Sequence, residues 1–436
     1  MVESGWIVIS NKMKNKLNDY RRVSIDSRLV KPGDYFVPVV GETSNGHDYI
    51  DSAIKNGAVG VIEEQELYEI ASEKLAIINP KVIAITGSVG KTTMRNFLST
   101  ILSEKYKVCV GSLNTKLGLA VNIVNSLKDT DEVFVAEAGM DRAGELLETG
   151  NFIKPEYAVI TNISQSHMAK LGSLEAIKRA KAELLETITL GGKAFLNWDS
   201  ENVRDIIGFV PENVEIIKYS LENLESEIDL KNLKLNFIVG PNYLNAIGAI
   251  LICMKLGLSV EETIGGLEKI KPEKGRLNIL KGINNSTIID DTYNASPVSM
   301  IAGIKATSDY YSKSNLNGRK IAVIGGMLEL GLYEDEGHKV SGEEILKEGF
   351  SEVVLVGELA KKYCIKDTPG VIVFACLDVV SAIEIIKNKI KPKEGDIILV
   401  KASQGIRLEK VVKEILLDTS LAQSLLVRQD ERWNSK

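Results

Sequence analysis

The stretch IAITGSVGKTTMRNFL, Ile83 to Leu98, sets an apolar run against a glycine turn, a lysine, two threonines and then a helical pattern. That order suits a phosphate. Backbone N–H groups in a glycine turn can point at phosphate oxygens, the following helix N-terminus adds positive potential, and the lysine supplies a mobile charge. Gly87, Ser88, Val89 and Gly90 would form the turn and Lys91 the charge. Thr92, with Thr93 beside it, would offer its hydroxyl to a Mg²⁺ that bridges phosphates. Thr92 also reads as a plain helix cap. The strand before the turn and the GKT triplet favour nucleotide binding. The general phosphate-loop signature is longer, because here only Ser88 and Val89 separate Gly87 from Gly90.

Glu137 ends the run VFVAE and His167 follows YAVITN, so both would stand at carboxyl ends of parallel strands. Open α/β sheets bind ligands there. A glutamate at a strand end is also a common solvated loop residue, and a lone histidine a common hydrogen-bonded structural one. Spacing alone leaves both readings open. Lys181, in RAKAELL, reads from composition as an exposed helical lysine.

A scaffold for these residues is written in the alternation of apolar runs and amphipathic stretches. From Val23 to about Pro80, DYFVPVVG and AVGVIEE read as strands and HDYIDSAIKNG as one helix. From Lys81, VIAITG, EVFVAEAG, YAVITNIS and KAFLNW alternate with helical KTTMRNFLSTILSEK and SLEAIKRAKAELLETI, which favours a parallel sheet covered on both faces. NYLNAIGAILICMKLGLSVEETIGGLEKI reads as helical, and KPEKGR as a linker. Beyond it STIIDDTYNAS, KIAVIGGM, EVVLVGE, VIVFA and DIILVKAS restart the alternation. The expectation is an α/β protein of three domains: a small N-terminal α/β unit over 1–80, a central phosphate-loop domain with a mostly parallel sheet over 81–274, and a Rossmann-like C-terminal domain over 275–436.

Composition narrows the partners. A formal net charge of -6, from 53 basic and 59 acidic residues well mixed along the chain, gives no footprint for nucleic acid or an anionic membrane. Small molecules fit better. Cys109, Cys253, Cys364 and Cys376 lie far apart without a CxxC pair, against a zinc cluster or disulfide framework and in keeping with a reducing cytoplasm. The start MVESGWIVISNKMKNK lacks a signal-peptide core, and the apolar run AIGAILICM stops at Lys255, short of a membrane span.

Taken in order, TGSVGKTT, AEAGMDRAGEL, ITNISQSH, AKAELL, NYLNA, GRLNIL, DDTYNASPVSM and MLELG resemble the Mur ligases of cell-wall precursor synthesis. DDTYNASP and MLELG resemble the members that add D-alanyl-D-alanine. The match runs from about Ser24 to the last helix, and the short loop is this superfamily's own form. The resemblance implies ATP-driven amide formation through an acyl phosphate, with a UDP-linked muramoyl peptide as acceptor and D-alanyl-D-alanine or a similar amine as the incoming group. It implies Mg²⁺ at two sites, Thr92 and Glu137 holding the first and His167 the second. Lys181 matches the family's carbamylated lysine, whose added CO₂ turns an amine into an anion able to help hold the second metal. Lys91, Glu137, His167 and Lys181 would thus carry the chemistry. Asn245 would read adenine, Arg276 reach phosphate and Asp291 hold the ribose, while Asn294 would lie toward the incoming amine. Asn114 and Thr115 fall beside the sugar nucleotide, and Asp26, Ser27 and Arg28 with Gly46, His47 and Asp48 match the uridine-diphosphate motifs. Outside the resemblance, Arg276 reads as a surface ion pair, Asp291 and Asn294 as turn formers, and the first-unit motifs as ordinary turn chemistry. The family also implies a cytoplasmic monomer.

The resemblance departs at five positions. Pro241 stands at a usual histidine, Thr115 and Ser296 at usual asparagines, Gln404 at a usual arginine and Gly326 at a usual aspartate. These keep open a ligase that joins another amino acid or dipeptide. Folate-type polyglutamate ligases share the loop but lack the DSR and GHD unit. A phosphate-loop switch or motor would need a catalytic arginine or glutamine near the γ-phosphate, and none can be located in the sequence.

Overall fold

The computed structural model describes residues 22–41, 44–111, 113–165, 168–221, 239–430 and 433. Among them the strands form three sheets. The first is small and parallel, with β1 (Val23–Ser24), β2 (Tyr35–Phe36) and β3 (Gly60–Val61) in that order.

The second sheet contains β4 (Lys81–Thr86), β5 (Val108–Gly111), β6 (Val133–Glu137), β7 (Tyr157–Ile160), β8 (Lys193–Asn197) and β9 (Glu215–Tyr219). Its order is β5-β6-β4-β7-β8-β9, parallel throughout. All residues of β6 are buried, as a strand covered by helices on both sides must be. One cover is the helix Lys91–Leu102, whose buried Met94, Phe97, Leu98, Ile101 and Leu102 recur on one face and share a core with the helix Val239–Lys255. Fully burying side chains of this size stabilises by about 1.5–3 kcal/mol each. On the opposite face the helices Glu64–Ile78 and Lys116–Ser126 form a second core with the sheet.

The third sheet contains β10 (Asn278–Lys281), β11 (Thr287–Asp291), β12 (Lys320–Gly325), β13 (Glu352–Val356), β14 (Ile372–Cys376) and β15 (Ile397–Lys401), in the order β10-β11-β15-β12-β13-β14. β10 runs antiparallel to β11 and the other pairs are parallel. In both large sheets the chain moves outward from a central strand in one direction and later in the other. Such a reversal opens a crevice at the carboxyl ends of the strands.

Several elements differ from the sequence reading. The first unit carries a second helix, Glu64–Ile78, whose buried Leu67, Ala71 and Leu75 share a core with the helix Lys116–Ser126 of the central domain as well as with Val23 of the unit's own sheet. Its strands are two residues long instead of the longer runs expected. The long helical stretch after Asn242 is two helices, Val239–Lys255 and Val260–Lys269, because Ser259 and Glu262 form a capping box that starts the second afresh. β1, β5, β9 and β10 have no counterpart in the sequence reading.

Candidate active site

The strand β4 delivers its chain into the turn between β6 and β7, its two neighbours in the sheet. Gly87 has φ +151°, and a Cβ there would lie 2.1 Å from Thr161 Oγ1; Gly90 has φ +88°, and a Cβ would lie 2.9 Å from Asn245 Oδ1. Both positions need glycine because the backbone takes a positive φ and other groups press against it. The short loop is braced from the end of β7. Ser88 N–H donates to Asn162 O at 2.7 Å, Thr161 Oγ1 donates to Val89 O at 2.6 Å, and Ser88 Oγ donates to Ser164 O at 3.1 Å. Lys91 folds back over the loop, its Nζ donating to Gly87 O at 2.7 Å. Burial pushes its pKa down, against the pull of the Glu137 charge. A phosphate oxygen offers this ammonium a stronger, charge-assisted acceptor than a carbonyl does.

Thr92, on the first turn of the helix, meets Glu137 at the end of β6. Thr92 Oγ1 donates to the two carboxylate oxygens of Glu137 at 3.2 and 3.1 Å. A hydroxyl and a carboxylate at a helix N-terminus are hard oxygen donors, the set that suits Mg²⁺. Arg95, one turn along the helix, was missed in the sequence. Its Nη1 lies 3.4 Å from Glu137 Oε2 and its Nη2 3.2 Å from Glu273 Oε1, in the linker.

Lys181 is not on a solvent-facing surface. It is 2 % exposed, and burial drives its pKa well below the lysine value, with the Lys91 charge acting the same way. Among the described residues no carboxylate is paired with it. His167 lies outside the described residues. Among those that are described, no three His, Cys, Asp or Glu side chains cluster as a metal site would.

A cleft of about 540 Å³ runs from the phosphate loop to the third sheet. From the central side Ser88 to Thr93, Asn114, Glu137 and Asn245 line it. From the other side come Arg276, Asp291 and Asn294. Lys401 also lines it, and sequence reasoning passed over it although it ends β15 as Glu137 ends β6. Its Nζ lies 2.6 Å from Asp291 Oδ2 and donates to Asn294 O at 3.0 Å. Asn294 Oδ1 accepts from Gln404 N–H at 3.3 Å. The MLELG turn is fixed from beneath by His338, fully buried, whose Nε2 accepts from Met327 N–H at 2.9 Å.

The structure does not bring every expected residue to this cleft. Gly87 and Lys181 are not among the residues that line it, nor is Thr115, which caps a helix. The six uridine-motif residues are in the N-terminal unit, away from the cleft lining. Asp26 caps a turn, accepting from Arg28 N–H at 3.0 Å and pairing with the Arg28 guanidinium at 2.7 Å; Ser27 is buried behind them. Gly46, His47 and Asp48 form a further turn capped by Asn45.

Three departures have a local physical account. Thr115 caps the helix Lys116–Ser126 by accepting from Gly118 N–H, and Ser296 caps Pro297–Lys313 in a capping box with Ser299. Asparagine, serine and threonine all serve in that role, threonine somewhat less well. At Gly326 a Cβ would lie 2.7 Å from Leu359 Cβ, so Leu359 fills the space a side chain would take. Pro241 lies in the helix Val239–Lys255, and its side chain is outside the described residues.

Known proteins resemble this chain in both sequence and fold. Residues 19–106 match the Mur ligase family catalytic domain, 85–239 the Mur ligase middle domain, and 275–404 the Mur ligase glutamate ligase domain. A UDP-N-acetylmuramoyl-tripeptide–D-alanyl-D-alanine ligase of Rickettsia prowazekii is 31 % identical, over 93 % of this chain and 97 % of the relative. The Bacillus subtilis enzyme of the same name is 29 % identical, over 90 % of this chain and 93 % of the relative. The crystal structure of MurF ligase from Thermotoga maritima in complex with ADP superimposes with a TM-score of 0.78 at 27 % identity, covering 93 % of this chain and 98 % of that one. By this similarity along almost its whole length, the chain belongs to the Mur ligase family of ATP-dependent amide ligases.

Proposed function

We propose that the protein joins D-alanyl-D-alanine to a UDP-linked muramoyl tripeptide, with ATP converted to ADP and phosphate. The observation that carries this is the single cleft in which the phosphate loop, Glu137 and the Asp291–Asn294 loop face one another. Relatives named for this ligation match along almost the whole chain.

The tripeptide's terminal carboxylate attacks the γ-phosphorus, and ADP leaves with the electrons of the broken P–O bond. The resulting acyl phosphate is attacked at its carbonyl carbon by the free amine of D-alanyl-D-alanine. Phosphate departs and the nitrogen loses a proton. The obstacle in the first step is repulsion between a carboxylate and a triphosphate, so the site must concentrate positive charge. Lys91 and the helix N-terminus supply it from the central domain, and Arg276 from the third. Asn245, packed over Gly90, is suited to read adenine, and Asp291 the ribose hydroxyls. Asn294, fixed by Gln404 and Lys401, faces the incoming amine. Asn114 lies on the sugar-nucleotide side of the cleft, and Thr115 caps the next helix. Asp26, Ser27, Arg28, Gly46, His47 and Asp48 hold the uridine diphosphate from the first unit.

Thr92 and Glu137 would hold one Mg²⁺, and His167 with carbamylated Lys181 a second; bound there, Mg²⁺ neutralises phosphate charge. Burial lowers the pKa of the Lys181 amine and so favours the uncharged form, the form that reacts with CO₂, which supports the carbamate there.

The test is phosphate release by the purified protein with ATP and Mg²⁺, with UDP-N-acetylmuramoyl tripeptide and D-alanyl-D-alanine added separately and together. Release only with both is expected. Release that needs neither substrate would sink the ligase reading.

A further inference from the structure

Tyr293 is the wall between the nucleotide cleft and the C-terminal segment. It lines the cleft on one side and, on the other, a hollow of about 430 Å³ to which Arg428 and Trp433 contribute. The Arg276 guanidinium carbon lies 4.0 Å from the centroid of the Tyr293 ring, well inside cation–π range. Arg276 Nε is buried and has no hydrogen-bond partner among the described residues. The ring is therefore a principal support for that end of the side chain.

The backbone that carries the ring is held in turn by Arg428. Its Nη1 donates to Thr292 O at 3.2 Å and its Nη2 donates to Tyr293 O at 2.5 Å. The same Nη1 lies 3.2 Å from Glu409 Oε2. Glu409 is fully buried, and its other oxygen pairs with Arg407 Nε at 2.5 Å. On the near side Tyr293 N–H donates to Gly275 O at 3.0 Å, and Gly275, at φ +68°, has no room for a Cβ, which would lie 2.9 Å from Tyr293 N. One continuous path thus runs from Glu409 through Arg428 and Tyr293 to Arg276. A planar guanidinium meets two carbonyls and a carboxylate in a way a lysine cannot reproduce.

We propose that Arg428 and Tyr293 are positioning residues for nucleotide binding. Arg428 fixes the Thr292–Tyr293 backbone, and the Tyr293 ring holds Arg276 toward the phosphates. This rests on the cleft being the ATP site, and the measurement is ATP affinity by calorimetry on the full chain, which does not depend on which amine is joined. Tyr293→Leu and Arg428→Gln should each weaken ATP binding about three- to fivefold, the scale of a cation–π contact at a partly exposed ring. Tyr293→Phe, which keeps the ring, should recover most of the affinity lost in Tyr293→Leu. Arg428→Lys should not recover that lost in Arg428→Gln. The double variant Tyr293→Leu with Arg428→Gln should bind no more weakly than the weaker single one, because both act through one path. Tyr293→Leu leaves the Arg428–Glu409 pair in place, so it reports on ATP even if the Arg428 variants fold poorly. Unchanged affinity in Tyr293→Leu, or losses that multiply in the double variant, would overturn the proposal. ATP binding by the wild type without ligation would count against the ligase reading alone, whereas no ATP binding at all overturns both.

Discussion

Lys401 and Asp291 are register partners on the adjacent parallel strands β15 and β11, and their side chains meet at 2.6 Å, both buried. Burial lowers the lysine's pKa and the aspartate opposes that shift. Removing one member of a buried pair leaves an uncompensated charge. Lys401→Ala should therefore cost about 3–5 kcal/mol in a urea unfolding experiment. Asp291→Asn combined with Lys401→Met should restore most of that stability, yet still bind ATP more weakly than the wild type. A double variant as unstable as Lys401→Ala would mean that the pair is not the source of the loss.

The Thr92–Glu137 contact predicts a metal requirement. Chelation of Mg²⁺ should abolish phosphate release, and Glu137→Gln should lower kcat by about 100-fold or more, because a neutral amide can still accept from Thr92 but cannot balance the cation's charge. Steady-state rates titrated against Mg²⁺ separate the two effects: the variant should need more Mg²⁺ for half-maximal rate. An unchanged Mg²⁺ curve would remove Glu137 from the metal site.

What was legible in the sequence was local. The strand, loop and helix around Lys91 follow from side-chain spacing and glycine placement, and Glu137 stood out because it terminates an apolar run. Lys181 was misread because its exposure is decided by packing: the helix Leu174–Ala182 turns Ile177, Ala180 and Lys181 inward together. The helix Glu64–Ile78 was missed for a related reason, since its apolar face is matched by a partner from another domain. Lys401, Arg95 and His338 gain meaning only from partners 107, 178 and 11 positions away, such as Asn294, Glu273 and Met327. No pattern within a window of sequence carries such pairings. Thr115 and Ser296 point the other way. As departures from a family they read as changes to the site, but their local chemistry is helix capping.

The buried position of Lys181 ties ligation to CO₂. If its buried amine carries a carbamate in the working enzyme, Lys181→Ala should lose nearly all ligation and regain a part of it on addition of a short-chain carboxylate such as acetate, which can occupy the vacated space. Rigorous exclusion of CO₂ should slow the wild type and leave the rescued variant unaffected. Full activity of Lys181→Ala without added carboxylate would remove this residue from the site.

His338 makes the stability of the MLELG turn depend on pH. Its Nε2 accepts from Met327 N–H and its Nδ1 donates to Glu334 O at 2.7 Å, so the ring is neutral, with its proton on Nδ1. Burial holds its pKa below the ordinary histidine value, opposed by the Glu334 carbonyl and by the charges of Glu334 and Asp335, and assisted by Lys362. With the folded value depressed, the unfolded chain binds the proton more readily. Stability is then full above the unfolded value of about 6.5 and is lost as pH falls below it, by at most about 1.4 kcal/mol per pH unit. Asp290, pushed up to about 6 by burial, contributes with the opposite sign, but it is common to both proteins compared. Urea midpoints between pH 7.5 and 5 should therefore fall more steeply for the wild type than for His338→Gln, which starts less stable at pH 7.5. Parallel curves would show that the ring does not need to stay neutral to hold the turn.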